Sequence, residues 1–497
     1  MTIDPFDFRE DLIEQERDLR PPLTDVLVEE PEIPIPESKL SRPLQQRIGK
    51  GPFKQSTPVM IKLELDQDQR DAARHFKTVS RMAPIRHEIP TFGIYAATLP
   101  NDLIRAVEDD PGVRRAFFDA EVKFPGPAVE FVRAAQLQPQ GVQLGSNIRA
   151  IRQQIRQAAP TLAGAATLGQ VGNAPLSTTS DPSWTPTSVT REILGAPEAE
   201  SEGYTGEGIT IAILDTGLPL NRLNHPQLSG AAYTSFLRVP APDRSGHGSH
   251  VASIIGGGAY TAPNGMTLQG VAPGCKLLGI KVLETPLGIG RDSDIIKGLE
   301  IALEKKAHIV NMSLGSEGYD PDNPFEDVLR DLINGGVIPL AAVGNSGPGT
   351  GTVGTPAGSP FCISVGSINS RTRSVAPFSS RGPTSYNAQI KPDVVSFGGD
   401  NTEGNTELIY STTSPGSTLD KLDKRILDKL SPVHGTSQAT PHFAGVVGWW
   451  AQYAEDRLDR RLSFQDVRTV LSHRGGTKNN STGAGLAVYD WIKALGG

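Results

Sequence analysis

The chain has 497 residues, more than one compact domain usually holds, so at least two domains are expected. Its net charge of -7 comes with acidic and basic residues interleaved over most of the length, which indicates a mildly acidic surface and no nucleic-acid partner. No apolar run approaches the ~18 residues of a membrane span, and the acidic stretch 1–20 lacks the apolar core of a secretory signal, so a cytoplasmic protein without a membrane partner is expected.

Residues 1–54 are rich in Pro, Glu and Asp and show no sustained period, which predicts a disordered or extended acidic tail. Residues 55–124 have the pattern of a small α+β domain of ferredoxin-like order, near the lower size limit for independent folding. Its expected elements are a strand from Thr57, a helix over Asp66–Val79, a strand or hairpin over Ile85–Leu99, a helix over Asn101–Asp109 and a strand over Val113–Val122. Residues 125–187 are interpreted as a helical segment and a linker.

Strands and helices alternate from Gly206 onward, in a domain assigned to residues 188–497. Five short apolar runs predict strands buried on both faces: Ile209–Leu214, Lys276–Leu283, His308–Ser313, Val337–Val343 and Phe361–Val365. Helices are expected over Asp292–Lys306 and Pro324–Asn334. The pattern predicts an α/β fold with a doubly wound, mostly parallel sheet, helices on both faces and function at the carboxyl ends of the strands.

Asp215 ends the first of these strands, in Asp215-Thr216-Gly217, so its carboxylate lies at the carboxyl edge of the predicted sheet. The motif alone is ambiguous, because aspartic proteases also present a carboxylate in this way and many such residues only begin turns. His247 lies in Gly246-His247-Gly248, where glycines open a helix and leave the imidazole uncovered. A single histidine is more often structural, but this setting favours a functional one.

Ser437 immediately precedes an apolar stretch, Phe443–Trp450, that is typical of a buried helix. A serine at such a helix start has an N–H without an intrahelical partner, beside the positive end of the helix dipole, where an oxyanion is stabilised. Asn345 follows the strand at Val337–Val343, so its amide projects from the same sheet edge and can donate to developing negative charge. An N-cap serine and a turn asparagine are the structural alternatives.

Four segments, in this order, resemble the signature segments of the subtilisin-like serine proteases: Asp215-Thr216-Gly217, Gly246-His247-Gly248, Gly344-Asn345 and Gly435-Thr436-Ser437. The resemblance covers about Gly203 to Leu495. It implies acyl transfer by a triad in which Ser437 attacks the peptide carbonyl, His247 acts as general base and Asp215 orients the imidazole. Asn345 and the N–H of Ser437 would stabilise the oxyanion.

The resemblance also implies a polypeptide substrate and no required cofactor. Ser313, Leu314 and Gly315 would form an edge strand that pairs with the substrate backbone. Ala342, Gly344 and Gly354 would line the pocket for the side chain before the cleaved bond. Structural calcium is common in the family, but no acidic, ligand-rich loop here is assigned to it.

The domain over residues 55–124 resembles the inhibitory prodomain of the family, which implies an intramolecular inhibitor whose C-terminal tail extends toward Ser437. The stretch Ser414–Pro432 is longer than is usual for the family before the nucleophile. Its leucines and isoleucine at Leu419, Leu422, Ile426 and Leu430 predict an amphipathic helix. This stretch is interpreted as a surface insertion or as a lid that regulates access or docks a regulatory protein partner.

Two other functions remain as alternatives. An aspartic protease needs a second Asp-Thr-Gly motif or a homodimer of short all-β chains, and it would leave His247 and Ser437 unexplained. A non-catalytic peptide-binding module needs a misaligned or covered site.

Cys275 and Cys362 are interpreted as buried free thiols rather than as a disulfide.

Overall fold

The computed structural model describes residues 38–50, 56–63, 85–108, 110, 112–123, 184–221, 225–235, 241–284, 288–402, 406–421, 429–474 and 476–496. From Ser38 onward the chain belongs to one compact unit. Three expected features lie wholly or partly outside the described residues: the tail expected over 1–54 as far as residue 37, the helix expected over 66–79, and the helical segment and linker expected over 125–187 as far as residue 183.

In its described residues the N-terminal domain contains one four-stranded antiparallel sheet, two α-helices and a 3₁₀ helix over Pro90–Phe92. Its elements are α1 (Arg42–Lys50), β1 (Ser56–Leu63), β2 (Ile85–Ile89), β3 (Ile94–Pro100), α2 (Asn101–Glu108), β4 (Val113–Phe118) and β5 (Glu121–Lys123). The first four strands lie in the order β2–β3–β1–β4. With β1 between β3 and β4 and antiparallel to both, the sheet has the ferredoxin-like order that the sequence predicts.

The two faces of this sheet pack against different partners, because side chains alternate along each strand. Val59 and Ile61 lie in a cluster with the buried side chains of α1 and α2. Met60 and Ile94 lie in a cluster with the apolar helices of the C-terminal domain.

The tail prediction is wrong for Ser38–Lys50, since α1 buries Leu44 in the cluster that contains Val59 and Ile61.

The larger domain alternates strands and helices. Its strands are β6 (Trp184–Pro186), β7 (Thr210–Asp215), β8 (Ala232–Ser235), β9 (Tyr260–Thr261), β10 (Thr267–Leu268), β11 (Lys276–Lys281), β12 (Ile289–Arg291), β13 (Ile309–Met312), β14 (Ile338–Ala342), β15 (Ile363–Ile368), β16 (Val394–Phe397), β17 (Leu408–Thr412) and β18 (Leu430–Val433). Its α-helices are α3 (Thr187–Ile193), α4 (Ala196–Ser201), α5 (His247–Gly256), α6 (Asp292–Glu304), α7 (Phe325–Asn334), α8 (Thr418–Lys421), α9 (Thr436–Leu458) and α10 (Phe464–Arg474). A 3₁₀ helix over Tyr489–Leu495 follows.

The central sheet has seven strands in the order β16–β15–β14–β13–β7–β11–β8. Every neighbouring pair is parallel. Along β7, Ile211 and Ile213 face a cluster with α5 and α9, whereas Ala212 and Leu214 face the cluster with α6 and α7. The sheet is therefore covered on both faces, and the predicted doubly wound α/β fold is confirmed.

The stretch Ser414–Pro432, which precedes α9, differs from its prediction. Leu419 lies in the short helix α8, but Leu430 begins the strand β18, which pairs with β17. One amphipathic helix over Leu419–Leu430 is therefore wrong, and residues 422–428 lie outside the described part. Cys275 and Cys362 are free and buried, as expected.

Candidate active site

Asp215 is the last residue of β7, an interior strand of the sheet that lies between β13 and β11. Its side chain is buried, and its Oδ1 accepts a hydrogen bond from the Thr216 backbone N–H at 2.7 Å. The strand therefore holds the carboxylate at the carboxyl edge, where the chemistry of open α/β sheets is found.

His247 is the first residue of α5 and contacts Asp215 directly. Its Nδ1 lies 2.8 Å from Oδ1 and 3.0 Å from Oδ2 of Asp215. The helix packs against β7, and the approach is close because residue 248 is glycine. A Cβ there would lie 2.3 Å from the Gly217 carbonyl oxygen and 3.2 Å from the Asp215 Cβ. The glycine thus allows the imidazole and the carboxylate to meet.

Ser437 is the second residue of α9, a long helix that packs against α5. Its Oγ donates to the Ser313 carbonyl oxygen at 3.3 Å, and the Ser313 Oγ donates to the Ser437 carbonyl oxygen at 2.9 Å. These bonds join the start of α9 to the segment that follows β13. The two packed helices thus carry His247 and Ser437 at their N-terminal ends.

Asn345 follows β14 and contacts the same helix start. Its Oδ1 accepts hydrogen bonds from the Thr436 backbone N–H at 3.0 Å and from the Thr436 Oγ1 at 2.8 Å. These two hydrogen bonds fix the Asn345 side-chain amide beside the first turn of α9, next to the residue that precedes Ser437.

Asp243 is a buried carboxylate that the sequence reasoning missed. It joins the Asp215 loop to the start of α5, since its Oδ1 accepts from Thr216 Oγ1 at 2.9 Å and from the Gly246 N–H at 2.7 Å. Its Oδ2 accepts from Ser249, through the N–H at 3.0 Å and the Oγ at 2.6 Å. Burial raises the pKa of Asp243 against the opposing effect of these donors. An acidic residue close before a helix-capping glycine was the available signal.

Lys281 is a second buried group that the sequence reasoning missed. Its Nζ donates to the Thr216 carbonyl oxygen at 2.7 Å and to the Leu283 carbonyl oxygen at 2.9 Å. Burial lowers the pKa of this ammonium, while the nearby carboxylates of Glu284, Asp243 and Asp215 oppose that shift. A lysine at the end of a buried, mostly apolar strand was the signal in the sequence.

His250, one turn after His247, has a different environment. It is fully buried, and its Nε2 donates to the Ser431 carbonyl oxygen at 3.0 Å. Burial lowers the pKa of His250 to about 3, with the nearby His247 contributing in the same direction. This imidazole is therefore neutral and structural, which leaves His247 as the candidate base of the motif.

The six residues expected to contact substrate lie on three segments that meet. Ser313, Leu314 and Gly315 follow β13, Ala342 ends β14 and Gly344 follows it, and Gly354 lies before β15. Backbone bonds join the first and third segments, from Ser316 N–H to the Thr355 carbonyl at 2.9 Å and from Thr355 N–H to the Ser316 carbonyl at 3.2 Å. Gly354 N–H donates to the Val343 carbonyl at 3.3 Å, which joins the third segment to the second.

Within the described ranges, no group of three or more His, Cys, Asp or Glu side chains is arranged to hold a metal ion. Among the helices of those same residues, none has the length and apolar character needed to cross a membrane.

The sequence of this chain is similar to those of known proteins. Residues 206–485 match the model of the subtilase family. Subtilisin E of Bacillus subtilis (strain 168) is 32% identical over 282 residues, which cover 54% of this chain and 64% of that protein. Subtilisin of Bacillus pumilus is also 32% identical, over 54% of this chain and 89% of its own length.

The major intracellular serine protease of Bacillus subtilis (strain 168) is 32% identical over 291 residues, with 57% of this chain and 81% of the relative covered. The chain thus spans just under two thirds of Subtilisin E and more of the two shorter relatives. The family match takes in more than half of the chain, including the segments that carry Asp215, His247 and Asn345 and the start of α9. The chain therefore belongs to the subtilase family of serine proteases.

Proposed function

We propose that this protein is an endopeptidase that hydrolyses polypeptides, with Ser437 as nucleophile, His247 as general base and Asp215 as the group that orients the base. The observation that carries the proposal is the 2.8 Å contact between His247 Nδ1 and the Asp215 carboxylate. A proton held at Nδ1 by the carboxylate makes Nε2 the basic nitrogen of the ring, as proton transfer from a serine requires.

In the proposed reaction, the Ser437 Oγ attacks the carbonyl carbon of the peptide bond while His247 Nε2 takes its proton. The tetrahedral intermediate collapses to an acyl-enzyme as His247 gives that proton to the leaving amine. Water then attacks the ester with the same base, and Ser437 is regenerated. These side chains perform every step without a cofactor, and structural calcium is not assigned to any described group.

Negative charge on the carbonyl oxygen would be stabilised by Asn345 and by the N–H of Ser437. The two bonds from Thr436 to the Asn345 Oδ1 support this role, because they orient the amide before substrate arrives. Donors that need no reorganisation when charge develops contribute most to catalysis of this type.

Substrate would bind along the segments that meet beside Ser437. We assign Ser313, Leu314 and Gly315 to the substrate backbone as an added strand, and Ala342, Gly344 and Gly354 to the pocket for the side chain before the cleaved bond. None of these six residues carries a charge, which argues against a preference for Lys or Arg at that position.

The N-terminal domain would restrain the enzyme as an intramolecular inhibitor. Its strand β5 pairs antiparallel with β12 of the protease domain, and the apolar face of its sheet packs on α6 and α7. The chain after Lys123, which would extend toward Ser437, lies outside the described residues.

A protein partner at Ser414–Pro432 stays a hypothesis. The cytoplasmic location stays a prediction too, with which the 32% identity to a relative named as an intracellular protease is compatible.

Cleavage of peptides by the wild-type chain, compared with Ser437→Ala, tests the proposal. We expect turnover of an unstructured polypeptide by the wild type, and a loss of about 10⁶-fold in the variant, because the covalent route needs this oxygen. Circular dichroism serves as the control that the variant is folded. Equal cleavage by both proteins would show that Ser437 is not the nucleophile, and no cleavage by either would favour the non-catalytic binding module.

A further inference from the structure

Glu326 is a buried carboxylate that the proposed chemistry does not use. It is the second residue of α7, and only 3% of its surface is exposed. Its two oxygens accept from two different segments: Tyr319 OH donates to Oε1 at 3.1 Å, and Ser359 Oγ donates to Oε2 at 3.0 Å. One side chain therefore bridges the segment after β13 and the segment before β15.

These are the segments that carry Ser313–Gly315 and Gly354, the proposed contacts of the substrate. They also meet directly, since Thr355 Oγ1 donates to the Gly318 carbonyl oxygen at 3.1 Å. The ring of Tyr319 lies against Gly358, where an added Cβ would be 2.3 Å from the ring carbon Cγ. A shift of Tyr319 would therefore displace the segment that carries Gly354.

The segment before β15 is also held at its far end, by the buried ammonium group of Lys391. Lys391 Nζ donates to the carbonyl oxygens of Ser359 and Cys362 at 2.9 and 2.8 Å, and it pairs with Asp393 Oδ2 at 2.8 Å. Lys391 thus fixes the backbone of residues 359–362, while Glu326 holds the Ser359 side chain and the opposite segment.

We propose that Glu326 is a positioning residue that sets the width of the pocket for the substrate side chain preceding the cleaved bond. The inference rests on the proposed peptidase function and adds to it a determinant of specificity. Glu326 acts through Tyr319 and Ser359, and neither of these belongs to the group formed by Asp215, His247 and Ser437.

The ionisation of Glu326 bears on this role. Burial raises the pKa of Glu326 to about 7, opposed by the donors Ser359 and Tyr319 and by the charges of Lys391 and Arg330. The Cys362 thiol also faces the cluster, and burial keeps it protonated by raising its pKa. Above pH 7 the ionised carboxylate accepts hydrogen bonds from the hydroxyls of both Tyr319 and Ser359. Below pH 7 one of its oxygens carries a proton, and the hydrogen bond that this oxygen accepts is weakened. The pocket is therefore held more tightly at higher pH.

The test measures kcat and KM for two peptides that differ only in the residue before the cleaved bond, Ala in one and Phe in the other. Wild type, Glu326→Gln and Tyr319→Phe are compared between about pH 6 and about pH 8.5. In wild type, we expect the preference for the small residue to increase with pH by about 2- to 10-fold, the range of one hydrogen bond. In Glu326→Gln the preference should not change with pH, and Tyr319→Phe should accept Phe more readily than wild type does.

Asp331→Asn, an exposed carboxylate on the same helix, is the matched control and should behave as wild type. Labelling of Ser437 by a fluorophosphonate should proceed in every variant, since the probe does not need the pocket. The inference fails if folded Glu326→Gln keeps the wild-type preference and its pH dependence. Failure of wild type to cleave any peptide or to react with the probe would contradict the peptidase function itself.

Discussion

At the residue scale, Asp215 and His247 meet because a strand end and a helix start are packed together. Only 1% of Asp215 and 2% of His247 are exposed, so their bond is shielded from water and screened little by salt. In this setting the carboxylate holds a single imidazole tautomer. A neutral amide of the same shape would not select that tautomer.

Asp215→Asn tests this orienting role. We expect kcat for peptide hydrolysis to fall by ~10⁴-fold with little change in KM, since the amide permits the wrong tautomer while the pocket is unaltered. Steady-state kinetics of the purified variant measure both constants. An unchanged kcat would show that the 2.8 Å contact has no part in catalysis.

At the element scale, the start of α5 is crowded on two sides. Thr413 and the residues just before α8 pack against Gly246, where a Cβ would lie 2.3 Å from Thr413 Oγ1 and 2.4 Å from Ser417 Oγ. The φ of Gly246 is 91°, in the left-handed region that favours glycine. Thr418 N–H donates to the Arg244 carbonyl at 2.8 Å, so the described part of the stretch before Ser437 supports the loop that precedes His247.

Gly248→Ala tests the close approach of α5 to the Asp215 loop. The added methyl would meet the Gly217 carbonyl at 2.3 Å, so the helix must shift and His247 must move away from Asp215. We expect kcat to fall by about 10²-fold or more, the effect of a displacement of about 1 Å at a catalytic group.

The matched control is Gly258→Ala, just beyond the same helix. A Cβ there meets only the Gln227 carbonyl oxygen, at 3.9 Å, which is ordinary contact. Its kinetics should equal those of wild type. If both variants were fully active, the close packing of α5 on the Asp215 loop would not matter for function.

At the scale of the whole molecule, the N-terminal domain is joined to the protease domain by apolar packing and by charge. Cations of the N-terminal domain meet carboxylates of the protease domain: Lys62 Nζ lies 2.6 Å from Asp327, Arg86 2.7 Å from Asp294, and Arg115 pairs with Asp322. The apolar face that contains Met60 and Ile94 would be exposed in the separated domain. The small domain therefore depends on its partner for stability.

Charge reversal in the double variant Lys62→Glu, Arg115→Glu tests whether this docking restrains activity. Like charges would then face Asp327 and Asp322, which costs several kcal/mol across an interface. We expect about tenfold or greater activation toward a short peptide, because ~1.4 kcal/mol changes such an equilibrium tenfold. Initial rates on a fluorogenic peptide provide the measurement.

Arg105→Glu is the control, because this exposed arginine of α2 forms no ion pair with the protease domain in the part of the chain that the structure describes. It should leave the rate unchanged. The restraint hypothesis would be abandoned if limited proteolysis showed the domain released in the double variant while the rate stayed at the wild-type level.

Much of this molecule could be predicted from sequence because the information is local. Asp215, His247, Ser437 and Asn345 each lie in a short motif at a strand end or helix start, and buried strands such as β13 and β14 are continuous apolar runs. The strands β8 and β16 were missed because each has four residues and lies at an edge of the sheet. The helix α1 was missed because Pro and acidic residues dominate the preceding sequence.

Other features depend on contacts between distant segments and have no local pattern. Asp243 joins a loop to a helix start, and Glu326 accepts a hydrogen bond from Ser359, which lies 33 positions further along the chain. In the sequence, such buried contacts are indicated only by a charged residue within an apolar stretch, such as Lys281.

The most direct test of the central claim is the site of reaction with a fluorophosphonate probe, located by intact-mass measurement and peptide mapping. An activated serine beside a base and an oxyanion site should form one covalent adduct, on Ser437, and the adduct should be absent in Ser437→Ala and strongly slowed in His247→Ala. A folded wild-type protein that forms no adduct, or forms it on a different serine, would contradict the account.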